Sequence, residues 1–174
     1  MTRDVAVAAG DTTAVSIVAG VGRVEASIVL ALGLPAREPF VEVFAGADPV
    51  PGEASVANGY GSAVSFDLGE GTYRAKVSTD AVSRTFRFDV APGRTTTASF
   101  ALDAGIASFE APGADALVVF AEDGKDVATL YPPFGSMALP AGRYRAVAER
   151  NGAKKETSFE IAAGQQARIV AAAP

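Results

Sequence analysis

Three groups of residues in this chain have types and spacings that could do chemistry. Glu122-Asp123-Gly124-Lys125-Asp126 puts three carboxylates within five residues, the side-chain type that holds calcium. The group lacks the ligand spacing and terminal bidentate Glu of a calcium loop, and its Asp-Gly step between two strand patterns reads as a hairpin turn. Arg143, Arg145, Arg150, Lys154 and Lys155 could form a basic strip for an anionic partner. Glu149, Glu156 and Glu160 lie among them, which favours ion pairing across strands on a solvated face. Tyr60 in Asn58-Gly59-Tyr60-Gly61, and Tyr131-Pro132-Pro133-Phe134, put aromatic rings in loops at roughly corresponding places. Such rings can stack on a sugar or anchor a protein partner, and they can equally plug the end of a thin core. Tyr60, Tyr131 and Phe134 are therefore the candidate binding residues.

Other chemistry is excluded by what the chain lacks. With no His and no Cys, there is no imidazole base, thiol nucleophile, zinc-finger site or haem ligand. Gly20-Val21-Gly22 is not followed by the third glycine of a dinucleotide fingerprint, no phosphate loop precedes Gly124-Lys125, and no G-x-S-x-G elbow occurs. The 20 Asp and Glu residues leave a glycosidase carboxylate pair formally open, but most fall on solvent-facing strand positions or in turns. No catalytic residue, metal ligand or cofactor is expected. A net charge of −5 offers no footprint for nucleic acid. The longest apolar run, Ser27–Leu34, is far short of the ~20 residues of a membrane helix, so membrane insertion is not expected. The first residues carry no positively charged segment leading into an unbroken apolar one. The chain is then either cytoplasmic or a piece of something longer.

The elements that must position these residues follow from an internal repeat, which should be sought first. Leu68–Leu102 and Leu139–Ala173 align without a gap over 35 positions, nine of them identical. Gly71, Tyr73, Arg74, Phe88 and Gly93 meet Gly142, Tyr144, Arg145, Phe159 and Gly164. Val41–Ala45 resembles Leu117–Ala121, with about five extra loop residues in the first copy. Val7–Thr13 matches Val90–Thr96, and the same register puts Gly22 on Gly105. Within the repeat the hydrophobic period is two: Tyr73, Ala75 and Val77 alternate with Arg74 and Lys76. That is the pattern of antiparallel strands with one buried face. Asn151-Gly152 suits a type I′ hairpin. Gly or Pro recurs about every 8–12 residues, the spacing of a sandwich or barrel. The 36 Ala residues favour helix intrinsically, but no window carries a capped helical stripe.

The chain is thus expected to be all-β: two tandem antiparallel β-sandwich units of about seven strands each, with an extra N-terminal strand. Residues 1–19 form a partial repeat, either the last strand of a preceding unit or an edge strand of the first. Residues 20–103 and 104–174 are the two units. Gly71-Thr72-Tyr73 and Gly142-Arg143-Tyr144 have the form of a tyrosine corner, in which a hydroxyl returns to backbone at the preceding turn. The L-x-x-G-x-Y-R strand and the F-x-V-x-x-G-x-T-T that follows resemble the transthyretin-like or carboxypeptidase-regulatory-like (immunoglobulin-like) modules of bacterial extracytoplasmic proteins. They are similar in particular to modules accompanying von Willebrand factor A domains, although the D-x-S-x-S sequence of such a domain is absent here. The resemblance implies a non-catalytic structural or interaction segment of a larger surface or periplasmic protein, whose partners are neighbouring domains of a longer chain. The alternative is a carbohydrate- or protein-binding module that uses the loop aromatics.

Overall fold

Alternation of apolar and polar side chains becomes alternation of buried and exposed faces along nearly every strand. A computed structural model describes residues 20–174 except position 32, so the strand expected within residues 1–19 lies outside the described residues. In the first half the strands are β1 (Val21–Ala31), β2 (Leu34–Pro35), β3 (Phe40–Ala45), β4 (Ala57–Tyr60), β5 (Ala63–Gly69), β6 (Gly71–Thr79), β7 (Val82–Val90) and β8 (Thr95–Ala101). The second half holds β9 (Ala104–Glu110), β10 (Ala116–Ala121), β11 (Asp126–Leu130), β12 (Phe134–Pro140), β13 (Gly142–Arg150), β14 (Ala153–Ile161) and β15 (Gln166–Val170). The described residues contain no helix and form an all-β fold.

The two halves repeat one topology. In the first, β1 lies between β5 and β8, with β2 paired to the end of β1, and a second sheet runs β4-β3-β6-β7. In the second, β9 lies between β12 and β15, and its companion sheet runs β11-β10-β13-β14. This is an immunoglobulin-like sandwich architecture, antiparallel except that β8 runs parallel to β1 and β15 parallel to β9. The exception arises because the chain leaves an edge strand, crosses to the opposite sheet and meets the first strand on its free side. Side-chain alternation carries no strand direction, so this pairing is invisible in the sequence.

Apolar faces close on each other in two clusters. Val24, Ile28 and Leu30 of β1 and Phe100 of β8 meet Val41, Val43 and Val77 from the facing sheet. Phe109, Leu117, Val119, Leu139 and Ile161 centre the other cluster. Ala75, Ala107, Ala146 and Ala148 are fully buried between sheets, so the Ala excess fills narrow inter-sheet space. Two features set the first half apart. It carries the two-residue β2, an eighth strand beyond the seven expected. Between β3 and β4 it also has an 11-residue loop, 46–56, where β10 and β11 are joined by residues 122–125 alone.

Two devices recur at matching positions. The Tyr73 hydroxyl donates to the Gly69 carbonyl at 2.9 Å and the Tyr144 hydroxyl to the Pro140 carbonyl at 2.7 Å. Each closes the turn before its own strand. Gly22 and Gly105 let the first strand of each half pass against the turn that leads into the last. A Cβ on Gly22 would stand 2.3 Å from the Ala91 oxygen, and one on Gly105 2.6 Å from the Ala162 oxygen.

The halves meet through buried chain. Leu102 and Ala104 are buried on either side of Asp103, whose carboxylate pairs with Arg84. The Asp80 carboxylate, at the β6–β7 turn, accepts the Ala138 N–H at 2.7 Å. Ala138 lies on β12, an edge strand, so one outward-facing donor of that edge is already satisfied.

Replacing either tight glycine should strain backbone that cannot recede. Gly22→Ala and Gly105→Ala are each expected to lower stability by ~1–3 kcal/mol, the usual range for overpacking, in denaturant titrations. Gly135→Ala, whose Cβ would meet nothing nearer than Leu130 at 3.5 Å, should stay close to wild type. Equal effects at all three positions would refute the close-approach argument. Tyr144→Phe should cost ~0.5–1.5 kcal/mol, the net worth of one hydrogen bond, measured in the same way.

Candidate functional site

The three loop aromatics are exposed. Tyr60, at the end of β4, is 73% exposed and lies tilted against Phe40 with ring centroids 4.5 Å apart. Tyr131, between β11 and β12, is 74% exposed, and Phe134, the first residue of β12, is 64% exposed. None plugs a core, so that reading is corrected. On the opposite face of β4, the Phe66 ring lies 3.4 Å from where a Gly59 Cβ would be. The three rings do not form one site, because Tyr60 belongs to the first pair of sheets and Tyr131 and Phe134 to the second. Tyr60 and Tyr131 hold the same place in the repeat. Phe134 borders an open groove of about 610 Å³ lined by Phe109, Pro112 and Pro133. Beside it the Arg168 guanidinium grips Glu110 at 3.0 and 2.6 Å and holds that carboxyl below its ordinary range.

The charged groups pair among themselves. Asp123 accepts the Lys125 N–H at 2.9 Å, and Gly124 has φ +83°, so Glu122–Asp126 is the turn between β10 and β11. Among the described residues no three carboxylates converge as a metal site would require. On β13 and β14, Arg145 pairs with Glu156 at 2.9 Å and Lys154 with Glu149 at 3.6 Å. Arg143 lies 3.8 Å from Glu122 and 4.0 Å from Glu160. The interleaved acids neutralise the strip locally.

The most constrained polar group is one that sequence reasoning did not single out as functional. Arg74 is 4% exposed, although it lies on the polar side of β6. One of its terminal nitrogens donates to both carboxylate oxygens of Glu53 at 2.7 Å, and its Nε donates to the Gly46 carbonyl at 3.1 Å. Its guanidinium lies over the Phe44 ring at 5.6 Å, and neighbouring Arg87 holds Asp48 at 2.8 Å. Loop 46–56 is thereby stapled over the outer face of β6 and β7, leaving Val50 and Val56 exposed on it. The sequence signal was the pairing of Arg74 with Arg145 together with the extra loop residues in the first copy. In the second half Arg145 lies over Phe120 at 5.3 Å, the counterpart of Arg74 over Phe44. Among the described residues no loop covers it there, and an open groove of about 510 Å³ remains, lined by Glu122, Arg143, Tyr144, Arg145, Ser158 and Phe159.

The hydrogen bond from Arg74 lowers the Glu53 carboxyl from its ordinary 4.5. A carboxyl that gives up its proton more readily folded than unfolded stabilises the fold above the unfolded value, and that contribution is lost as pH falls through the lower folded value. Stability and loop protection should therefore drop as pH falls below about 4.5. In Glu53→Gln that part of the acid dependence should vanish while stability at neutral pH is lower. Hydrogen exchange across residues 46–56, followed against pH, reads both effects. An unchanged profile in the variant would remove the staple.

No protein-family model matches the chain, and no curated protein matches it. Among solved structures, it is similar to the Bacillus anthracis TIE protein, with 16% identity, a TM-score of 0.40 and 88% of this chain covered. It is also similar to a streptococcal ancillary pilin, with 13% identity, a TM-score of 0.43 and 88% covered. A leucine-rich repeat protein from Bacteroides thetaiotaomicron shows 12% identity and a TM-score of 0.31, with 89% covered. The chain spans 33% of the first structure, 62% of the second and 26% of the third.

Proposed function

We propose that the protein is a non-catalytic structural module: a tandem β-sandwich segment that holds neighbouring parts of a larger protein at a fixed spacing. In this reading residues 20–103 and 104–174 are the two units, and residues 1–19 are a partial repeat. The units are transthyretin-like on the strength of the L-x-x-G-x-Y-R strands, each of which forms its tyrosine corner. A place outside the bacterial cytoplasm follows from the same resemblance, with neighbouring domains of a longer chain as partners.

The observation that carries the reading is the junction. Leu102 and Ala104 are 3% and 0% exposed, so the connection between units is core rather than linker, and Asp80 bonds one unit to the edge of the next. A chain with no native Cys allows a direct test. Spin labels on Ser99→Cys and Thr129→Cys, one exposed site in each half, should give a single narrow distance distribution by pulsed electron resonance. Asp80→Ala should broaden it. A broad distribution in the parent protein would overturn the spacer reading.

A second reading, a carbohydrate- or protein-binding module, is favoured by the exposure of Tyr60, Tyr131 and Phe134. On a glycan array or in a pull-down, this reading expects binding that disappears with Tyr60→Ala or Tyr131→Ala. Binding indifferent to both substitutions would exclude it.

A further inference from the structure

We propose that the groove beside Arg145 binds an extended acidic peptide segment of a partner protein, with a carboxylate of the peptide seated on the Arg145 guanidinium. The proposal uses none of the three loop aromatics and stands apart from the spacer reading.

The argument is internal to the molecule. Arg74 and Arg145 are the same position of the repeat, and each lies over an equivalent ring, Phe44 or Phe120, at 5.6 and 5.3 Å. In the first half the space above that pair is filled by loop 46–56, whose Glu53 carboxylate takes the arginine and whose Asp48 takes Arg87. In the second half the connection is only residues 122–125, and beside it an open groove is lined by Arg145 and Ser158, the counterparts of Arg74 and Arg87. The molecule therefore displays, on one copy, the kind of ligand that the other copy has room for: an extended backbone rich in Pro and Gly with one carboxylate at the arginine.

The uncovered copy is chemically ready for such a segment. Among the described residues only Glu156 engages Arg145, at one terminal nitrogen and 2.9 Å, and the arginine side chain is 42% exposed. Ser158 stands where Arg87 stands in the first half and offers a hydroxyl to the passing backbone. Arg143, 71% exposed and only 3.8 and 4.0 Å from its two glutamates, supplies a second cation. Glu122 and Glu160 keep the local charge near zero. The site should therefore select a single well-placed carboxylate over a polyanion.

The protein's own loop supplies the probe. A fluorescein-labelled peptide with the sequence of residues 45–56 should bind the full chain in an anisotropy titration. Arg145→Ala, or Gln in place of the peptide's single Glu, should each weaken binding about tenfold or more, the worth of a charge-assisted hydrogen bond pair. Arg145→Lys, which keeps the charge but loses the fork, should fall between. Glu156→Gln should strengthen binding by releasing Arg145 from its competitor, an effect that a purely structural role for Glu156 does not produce. N-acetylglutamate amide at the same concentration should fail to compete, which separates a peptide from a free carboxylate. No binding, binding unchanged in Arg145→Ala, or full competition by the small carboxylate would overturn the proposal.

Discussion

Each half of this molecule depends on one close approach, where the turn before the last strand lies against the first strand. The Gly93 N–H donates to the Val21 carbonyl at 2.8 Å and the Gly164 N–H to the Ala104 carbonyl at 2.9 Å. Arg23 and Ile106 donate back across the same gap to Arg94 and Gln165 at 2.9 and 2.8 Å. Backbone this close leaves no room for a Cβ on the residue between, which is why Gly22 and Gly105 stand there. Once the turn is seated, β8 and β15 can only run alongside β1 and β9 in the same direction. That pairing gives the first strand a neighbour on both sides and closes the sandwich. It also delivers the end of β8 next to the start of β9 with only Leu102 and Asp103 between them. The shortness of the junction thus follows from how the first half is closed.

The composition makes sense within that frame. A two-layer unit of this size has little interior volume, and large side chains from both sheets would force the layers apart. Alanines at the inter-sheet positions let the sheets approach, while a few rings carry most of the apolar area. Phe86 stacks on Phe100 with centroids 4.8 Å apart, and Tyr144 on Phe159 at 5.5 Å. Because burial rather than propensity decides, a residue that favours helix in isolation is retained in strand.

Much of this was legible in the sequence, for a physical reason. Strand positions follow from side-chain alternation and turns from Gly, Asn and Asp, both local signals. The strands expected at 126–130 and 166–172 therefore appear at Asp126–Leu130 and Gln166–Val170, and Asn151 and Gly152 both adopt positive φ. Tyr73 and Tyr144 were legible as corners because donor and acceptor are four residues apart. What escaped depends on partners distant in sequence. The parallel pairs, the β2 addition and the strand expected near 54–58, which forms at Ala57–Tyr60, are set by which edge is free. The exposure of Tyr60, Tyr131 and Phe134 depends on how their loops sit against strands distant in sequence, which side-chain alternation does not encode.

The burial of Arg74 escaped for the same reason, and it shows how two copies of one fold come to differ. An arginine on the outer face of a strand is normally solvated, and covering it without a partner is strongly unfavourable. Loop 46–56 can cover Arg74 only because it carries Glu53 to the one place where a carboxylate satisfies the guanidinium. The remaining Nε is met by the loop's own first carbonyl, that of Gly46. Shortening the loop in the second copy removes the cover and the carboxylate together, and Arg145 then turns to Glu156 on the neighbouring strand. The central strand pair, the phenylalanine and the arginine that lies over it are common to both copies. The length of one connection decides whether the site they form is filled from within the chain or left open.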